Sequence, residues 1–388
     1  MELEEILRRL GMSSNQWKEL YFKEVAELIY GKSLPAKKRI FGKYNVYGSG
    51  GIVGKHNSYL IEGPGIIIGR KGTVGSVYFE KNPYFPIDTT YYIKNSPNYD
   101  IKYLFYLLCN ANLTNMNTHS AVPGLNRDNL YHKKFNVPKI EEQEKIASIL
   151  SSLDDKIELN NQINKNLEQI AQAIFKHWFI DFEFPDENGE SYKSSGGEMV
   201  GSELSPIPKE WGVIPFKEII NISSGKRPKI MNKEKDKGFN IPLIGASSIM
   251  GYVSETLYVK PILIIGRVGT HGIVQRIKGK SWPSDNTLVI QPEYYEYTYQ
   301  ILKNIDYQSL NRGSTQPLIT QTDIKKYKII FPKNNLLKDF EKRIDSLFQL
   351  INKNKEENKV LSGIRDKLLP KLMSGEIHVP INIKEGDE

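Results

Sequence analysis

The sequence has almost no cysteine and no long apolar run, and both absences narrow what the protein can be. Only Cys109 of the 388 residues is a cysteine, so the chain forms neither an internal disulfide nor a cysteine-rich zinc cluster, as is typical of proteins from a reducing cytoplasm. No apolar stretch approaches the roughly 18 residues that a membrane-spanning helix requires. The chain begins Met-Glu-Leu-Glu-Glu, which does not fit a secretion signal. We therefore expect a cytoplasmic protein without membrane contact.

Patterns typical of catalytic and metal sites are lacking as well. The six histidines have no metal-ligand spacing. Gly48–Gly51 is rich in glycine, but no helical pattern follows it, as a cofactor loop would require. Gly31–Ser33 lacks the earlier glycine of a phosphate-binding loop. We expect a protein that is not an enzyme, with no catalytic residue, no metal and no cofactor of its own.

What the sequence does contain is an internal duplication. Residues of the first half recur in order in the second half, at offsets of 194, then 197, then 194 again. The longest matching block pairs Ile67–Gly75 with Ile264–Gly272. The other repeated residues of the first copy are Trp17, Lys23, Glu24, Gly31, Lys32, Gly48, Ile52, Gly54, Pro86, Asp88, Ser120, Pro123 and Pro138. Ordered identities at a nearly constant offset predict two copies of one fold.

After Pro138 and again after Pro332 the pattern becomes helical. Apolar residues are spaced alternately by four and three, which is typical of a coiled-coil stripe. In the first copy the stripe is Ile146, Leu150, Leu153, Ile157, Asn160, Asn164, Leu167, Ala171, Ile174 and Trp178. In the second copy it is Phe340, Ile344, Leu347, Ile351, Asn354, Asn358, Leu361, Leu368 and Leu372. Arg365 interrupts the second stripe, and we expect Ile364 to fill the gap. A helix of about 39 residues, roughly 58 Å long, must bury such a stripe, and the other copy is the nearest partner.

We expect the two helices to be antiparallel, with their asparagines paired at the midpoint. This arrangement places Asn160 opposite Asn358 and Asn164 opposite Asn354. One interpretation is a buried cluster on a pseudo-twofold axis that fixes the register of the helices, as polar core residues do at some cost in stability. The other is that the asparagines face solvent, because a straight helix drifts by about 20° per heptad.

The globular segments before each helix have short apolar runs broken by Gly, Pro and Asn, which predicts mixed α/β or α+β structure. We expect a short helix at Lys23–Tyr30 and strands such as Gly65–Ile68 and Ile262–Ile265. The predicted fold is therefore a pair of duplicated globular domains joined by two long antiparallel coiled-coil helices, with pseudo-twofold symmetry. The predicted boundaries are 1–139 for the first globular domain, 140–183 for the first long helix, 184–208 for a linker, 209–333 for the second globular domain, 334–376 for the second long helix and 377–388 for a C-terminal tail.

The formal charge of +8 is distributed unevenly along the chain. Residues 1–139 contain 19 Lys and Arg against 11 Asp and Glu, and residues 195–333 contain 19 against 12. Residues 140–194 are acidic, with 5 against 12, and residues 334–388 are balanced at 10 against 10. Two basic globular segments with a neutral or acidic spacer indicate two regions that bind a polyanion.

Basic, polar and glycine residues intermingle in these two segments. Glycines let a backbone approach a phosphate, and Arg or His side chains suit base edges in the major groove. The candidate DNA-binding residues are Lys32, Lys55, His56, Arg70, Lys71, Thr73, Arg127, Lys226, Arg227, Arg267, Thr270, His271 and Arg312. In the alternative interpretation the glycine block is a tight turn, with Arg70 and Arg267 bonded to carbonyl groups. Copies that bind different DNA sequences must differ where they contact bases, as Lys71 and Val268 do.

The chain resembles the specificity (S) subunit of type I restriction-modification systems over essentially its whole length. The motifs that carry the resemblance are Pro138–Ile146, Ile174–Phe179, Met199–Trp211 and Lys367–Ile377. The second helix departs from the Glu-Glu-Gln opening of the first, with Leu336–Phe340 in its place.

The resemblance implies two target recognition domains, each binding one half of a bipartite, asymmetric sequence in double-stranded DNA. It also implies two antiparallel helices that dock two methyltransferase (M) subunits, in a complex with restriction/translocase (R) subunits. Such a subunit has no catalysis of its own, and its partners bind S-adenosylmethionine, ATP and Mg²⁺. Two rivals stay open at this stage, namely an adaptor that binds nucleic acid without sequence preference and an enzyme within the globular segments.

Overall fold

The computed structural model describes residues 17–116, 124–267, 272–307, 309–310, 319–332 and 334–379. They form two compact units, and each long helix contributes residues to both. The first unit comprises the described residues of Met1–Asn160 and Glu356–Glu388, and the second comprises those of Asn161–Lys355. Within these described ranges, no helix is long and apolar enough to cross a membrane.

Three small sheets form the globular part of the first unit. Its strands are β1 (Lys18–Tyr21), β2 (Ile29–Tyr30), β3 (Tyr44–Gly48), β4 (Gly51–His56), β5 (Gly65–Gly69), β6 (Val77–Glu80), β7 (Tyr84–Pro86), β8 (Thr90–Lys94) and β9 (Lys134–Val137). Its short helices are α1 (Phe22–Val25), α2 (Ile101–Asn110) and α3 (Arg127–Tyr131). The strand orders are β2-β8-β5-β6, β4-β3-β7 and β1-β9. β5 lies between β8 and β6 and is buried throughout, as its uninterrupted apolar run predicts.

The second unit repeats this arrangement. Its strands are β10 (Met199–Val200), β11 (Ile207–Pro208), β12 (Gly212–Pro215), β13 (Ile220–Ser224), β14 (Ile241–Ile244), β15 (Ile249–Val253), β16 (Ile262–Gly266), β17 (Val274–Ile277), β18 (Trp282–Pro283), β19 (Thr287–Pro292) and β20 (Lys328–Phe331). Its short helices are α5 (Tyr295–Asn304) and α6 (Gln321–Lys326). The strand orders are β13-β19-β16-β17, β15-β14-β18 and β12-β20, with β10 and β11 as an added pair.

The match between the two units extends to irregular features of the sheets. In both three-stranded sheets the central strand pairs antiparallel with one neighbour and parallel with the other. The register of the antiparallel pair shifts between Val46 and Tyr47 in the first unit and between Leu243 and Ile244 in the second. These two sites are 197 residues apart, which is the offset found in the sequence. The duplication is therefore a duplication of fold.

The two long helices, α4 (Ile140–Phe179) and α7 (Asn334–Met373), have 40 residues each. They are antiparallel in both units. In the first unit Asp154 contacts Arg365 and Asn160 contacts Asn358, so residue numbers rise along one helix as they fall along the other. In the second unit Asn164 contacts Asn354 and the ring of Phe175 lies 6.1 Å from that of Phe340. The predicted antiparallel arrangement is confirmed.

The helix stripes pack against the sheets and against each other, but the two junctions differ in composition. In the first unit the buried apolar residues of the stripe are aliphatic, and they include Ile146, Leu150 and Leu372. In the second unit aromatic side chains dominate, and Phe340 contacts the rings of Phe175, Trp178, Phe179 and Tyr297. Aromatic pairs at such distances stabilise a core beyond the burial of their area.

The expectation that Ile364 fills the gap in the second stripe was wrong. Ile364 is exposed, and Arg365 keeps its place in the stripe. The Arg365 guanidinium donates a hydrogen bond of 2.6 Å to Asp154, which also accepts from the hydroxyl of Tyr106 at 2.5 Å. A cation is tolerated at this stripe position because a carboxylate of the facing helix pairs with it.

Two other segments differ from the sequence-based expectation. The helix expected at Lys23–Tyr30 is limited to Phe22–Val25, because Ile29–Tyr30 pair with β8 and join the sheet. The segment 184–208, expected as a linker, is a folded part of the second unit. Phe184 stacks on Trp211 with ring centres 4.9 Å apart, and Ile207 is buried. Its Gly and Ser residues therefore form turns of a folded segment.

Candidate nucleic-acid interface

A cationic groove of about 290 Å³ opens on the surface of the first unit. We call it the Tyr30 groove. Its lining residues are Tyr30, Arg70, Lys71, Tyr91, Gly124, Leu125, Asn126, Arg127 and Asp128. Three of the sequence-predicted DNA-binding residues, Arg70, Lys71 and Arg127, therefore meet in one place although 57 residues separate the first from the last.

Backbone pairing brings these residues together. Arg70 follows the end of β5, where its N–H donates to Thr89 O and its carbonyl accepts from Leu125 N, both at 2.9 Å. The Asn126 side chain then caps α3 by accepting from the N–H groups of Asp128 and Asn129. This cap sets the direction in which Arg127, the first residue of α3, leaves the backbone.

Two arginines share the ring of Tyr30. The guanidinium carbon of Arg70 lies 5.1 Å from the ring centre and that of Arg127 lies 5.3 Å from it. Arg70 also donates to Asp88 O at 2.8 Å. The Nε atoms of Arg70 and Arg127 are buried and have no hydrogen-bond partner among the described residues. Two like charges on one ring repel each other, so the groove gains stability when an anion or a strong acceptor lies between them.

Tyr91 forms the floor of the Tyr30 groove. Burial raises its pKa to about 12, and the nearby Arg70 and Arg127 oppose this shift. Its hydroxyl donates to Leu125 O at 3.1 Å. Tyr91 is therefore a neutral, fixed side chain at physiological pH, and the positive charge of the groove belongs to its arginine and lysine residues.

The groove suits the chemistry of nucleic acid. Guanidinium groups bind phosphate oxygens and the O6 and N7 atoms of guanine in a bidentate manner. Stacking on an aromatic ring holds a guanidinium plane in one orientation. Tyr30 was not among the sequence-predicted residues, and the one signal for it is its place directly before the repeated Gly31-Lys32 pair.

The corresponding site of the second unit has different chemistry. The backbone is alike, since Arg267 N donates to Asn286 O at 2.9 Å and Ile319 N donates to Arg267 O at 3.2 Å. The offset of 194 places Ser224 where the first unit has Tyr30, and Gln321 where it has Arg127. The amide of Gln321 lies within hydrogen-bonding distance, 3.0 Å, of the Ser224 hydroxyl. An amide and a hydroxyl thus replace the second arginine and the ring.

The remaining predicted DNA-binding residues are placed differently. Lys32, Lys55, Thr73, Lys226 and Arg227 are exposed. Thr270, His271 and Arg312 lie outside the described residues.

His56 does not face solvent. It is 8% exposed, its Nδ1 accepts from Ile40 N at 3.1 Å, and its ring packs edge-on against Phe85. These contacts give His56 a structural role.

The tight turn proposed for the glycine block is also present, because Gly69 N donates to Ser76 O and Gly75 N donates to Gly69 O, both at 2.8 Å. Arg70 therefore combines a carbonyl contact with a place in the groove.

The asparagines of the helix stripes form direct pairs. In the first unit Asn160 donates to Asn358 and to Glu357, both at 2.8 Å. In the second unit Asn354 donates to Asn164 at 2.9 Å. Asn160 and Asn164 are buried. The solvent-facing interpretation therefore does not describe these two residues, and a role in helix register stays a prediction.

Comparison with known proteins defines the class of this chain. The profile of the family described as "Type I restriction modification DNA specificity domain" matches residues 14–169 and 208–365, which is most of the sequence and one match for each copy. The chain belongs to this family.

Individual relatives agree with this assignment. The chain is 30% identical to the type I restriction enzyme MjaIX specificity subunit of Methanocaldococcus jannaschii, over 81% of this chain and 78% of that protein. It is 28% identical to the HindI specificity subunit of Haemophilus influenzae, over 74% and 81%. The crystal structure of a type I restriction-modification S subunit from M. genitalium has the same fold, with a TM-score of 0.63, 19% identity and coverage of 93% and 96%. The interpretation as a non-specific adaptor has no support from these relatives.

Proposed function

We propose that this chain is the DNA sequence-specificity subunit of a type I restriction-modification complex. Each globular domain binds one half of a bipartite, asymmetric target in double-stranded DNA. The observation that carries the proposal is one repeated backbone with different groove residues, Arg127 and Tyr30 in one copy and Gln321 and Ser224 in the other. Two sites that differ in this way bind two different half-sites, whereas a non-specific binder gains nothing from the difference.

The long helices have two roles in this proposal. They set the number of base pairs between the half-sites, and their outer faces dock two methyltransferase subunits. Restriction subunits join the same complex. This chain has no catalysis of its own, and S-adenosylmethionine, ATP and Mg²⁺ belong to the partner subunits. The apolar side chains that α4 leaves exposed, such as Leu159 and Ile170, support a docking role because solvated helix faces are ordinarily polar.

The first experiment is to co-express the chain with its methyltransferase partner and to map methylated adenines on host DNA by single-molecule sequencing. The expected result is a split, asymmetric motif that is methylated only when both proteins are present. Methylation without any motif would contradict sequence recognition. Methylation or cleavage by this chain alone would contradict the absence of catalysis.

A second experiment tests the spacing role. Seven residues inserted into each helix, next to Asn160 and Asn358, add one heptad of about 10.5 Å to the pair. Because stacked base pairs are about 3.4 Å apart, the expected result is a methylated motif whose spacer is longer by roughly three base pairs. An unchanged spacer in an active complex would show that the helices do not set it.

A further inference from the structure

Each globular domain has a basic segment that carries exposed apolar side chains. The proposed function assigns no role to these side chains. In the first unit they are Ile40, Phe41, Ile52 and Val53, which lie on the segment before β3 and on β4. Phe41 is 91% exposed, more than any other large apolar side chain among the described residues. A fully exposed phenylalanine is costly in water, which indicates a surface that a partner covers.

The backbone on both sides of Phe41 is held in place. The guanidinium of Arg39 donates to Val53 O at 2.7 Å and to Leu34 O at 3.3 Å. Ile40 N donates to Nδ1 of the buried His56. Gly42 lies so close to β4 that a Cβ there would be 2.4 Å from the Cα of Asn57. Phe41 therefore projects from an anchored backbone, which lowers the entropy lost when it inserts into a partner.

The second unit has the same feature with different residues. Ile230, Met231, Ile249 and Met250 are all exposed. Ile230 and Met231 lie between β13 and β14, eleven and ten residues before β14, whereas Phe41 lies three residues before β3. The neighbouring Asn232 exchanges two backbone hydrogen bonds with Tyr252, at 2.9 and 2.7 Å. A Cβ on Gly251 would lie 2.5 Å from Asn232 O, so this segment also packs closely against its hairpin.

The surrounding charge identifies the partner as a polyanion. Residues 28–61 contain six Lys and Arg and no Asp or Glu. Residues 219–254 contain six Lys and Arg against two acidic residues. A site for an ordinary protein partner would have fewer lysines at its centre. DNA offers phosphates for the cations and, between neighbouring base pairs, an apolar space for one side chain.

We propose that Phe41 in the first unit and Ile230 in the second are wedges that insert between base pairs and kink the bound DNA. The lysines around them contact the flanking phosphates. This proposal rests on the proposed function in so far as DNA is the ligand, but it concerns DNA shape and does not require sequence recognition. A kink adds specificity at base pairs that no side chain contacts, because some base steps deform more easily than others.

The test uses the full chain with Phe41→Trp and, as a control, with Leu204→Trp, which replaces another exposed apolar residue that lies outside residues 28–61 and 219–254. Each variant is titrated with a short random-sequence duplex at low salt, and the wild-type tryptophan fluorescence is subtracted. Stacking on bases quenches tryptophan, so the expected result is strong quenching at position 41 and little at position 204. Equal signals at both positions, with DNA bound, would overturn the proposal.

Phe41→Ala and Phe41→Leu measure the consequence for DNA shape. In the complex with the methyltransferase subunit, Phe41→Ala is expected to reduce the bend reported by fluorescence energy transfer between the duplex ends. It is also expected to weaken DNA binding about tenfold, whereas Phe41→Leu retains most of the bend. Loss of methyltransferase binding in Phe41→Ala, with DNA binding by the free chain unchanged, would assign the side chain to a protein interface instead. Because quenching and bending need no methylated motif, failure of this proposal is distinct from failure of the specificity assignment.

Discussion

The two units share their sheets but differ where the sheets meet the long helices. Lys81 in the first unit and Lys278 in the second occupy equivalent positions, and each pairs with an acidic residue of a long helix, Asp155 or Asp345. The buried apolar residues of the helix stripe are aliphatic in the first unit, whereas in the second unit they include Trp178 and Phe340. The lysine that attaches each domain to a long helix is therefore preserved by position, while the position of its carboxylate partner and the surrounding packing have diverged.

The groove residues have diverged in the same way. The backbone pairing of Arg70 in the first unit is the same as that of Arg267 in the second. The side chains beside these two arginines differ. A duplicated specificity subunit needs a shared backbone with different side chains. The shared backbone gives both sites the same framework, and the different side chains let each site bind its own DNA sequence.

The largest expected effect concerns the cores of the two junctions. Phe340→Ala removes a ring that contacts four aromatic side chains of the second unit, and it should cost about 3–5 kcal/mol of local stability. The equivalent change in the first unit, Ile146→Ala, should cost about 2–4 kcal/mol. Hydrogen exchange resolved along the chain measures each loss in its own unit.

Conservative replacements are the controls for this comparison. Phe340→Leu and Ile146→Val keep most of the buried volume and should destabilise their units less than the alanine variants do. Equal loss of protection in both units from either alanine variant would show that the units unfold together.

The second prediction exchanges the groove residues. Arg127→Gln with Tyr30→Ser gives the first unit the side chains that Gln321 and Ser224 provide in the second. Discrimination at one half-site should fall by about 1–3 kcal/mol, with the other half-site unchanged. Methylation mapping in the co-expression system reads both half-sites at once.

Lys18→Gln is the matched control, since it removes an exposed cation from a different sheet of the same unit. It should leave the motif unchanged. A uniform loss of methylation at all sequences in the exchange variant would show that the Tyr30 groove contacts only phosphates.

The third prediction separates the two equivalent lysines. Lys278 contacts the carboxylate of Glu296, which is 1% exposed, as well as Asp345. Lys278→Met leaves that buried carboxylate with Arg276 as its cationic partner and should cost about 1–2 kcal/mol. Lys81 and Asp155 are both largely exposed, so Lys81→Met should cost less than about 1 kcal/mol. Thermal unfolding of the two variants tests this order, and a larger loss for Lys81→Met would contradict it.

Much of the fold followed from the sequence because repeats and helical stripes are local patterns. The offset of 197 between matching blocks predicted equivalent strands, and the spacing from Ile146 to Trp178 predicted a long helix. Contacts between distant segments did not follow. Nothing near Arg365 in the sequence indicates that Asp154 neutralises it, and nothing near Tyr30 indicates that two arginines meet on its ring. Such sites depend on how the sheets place residues that are far apart in the chain.

The smallest expected effect is a difference in pH dependence between two carboxylates, one in each unit. In the second unit, burial raises the pKa of Glu296, and Arg276 and Lys278 oppose the shift in part. In the first unit the hydrogen bond from Lys81 is the main cause that lowers the pKa of Asp155 below its ordinary value of 3.8.

These opposite shifts predict opposite slopes. The folded state binds the proton of Glu296 more tightly than the unfolded state does, because the pKa of Glu296 is raised on folding. The wild-type protein should therefore lose stability relative to the Glu296→Gln variant as the pH rises from about 4 towards 7. Asp155 stabilises the folded state while it is ionised, so wild type should lose stability relative to Asp155→Asn as pH falls below about 4. Urea unfolding across this range measures both differences. Parallel slopes would mean that the contacts of Arg276 and Lys278 outweigh the burial of Glu296, and the two junctions would then be electrostatically alike despite their different packing.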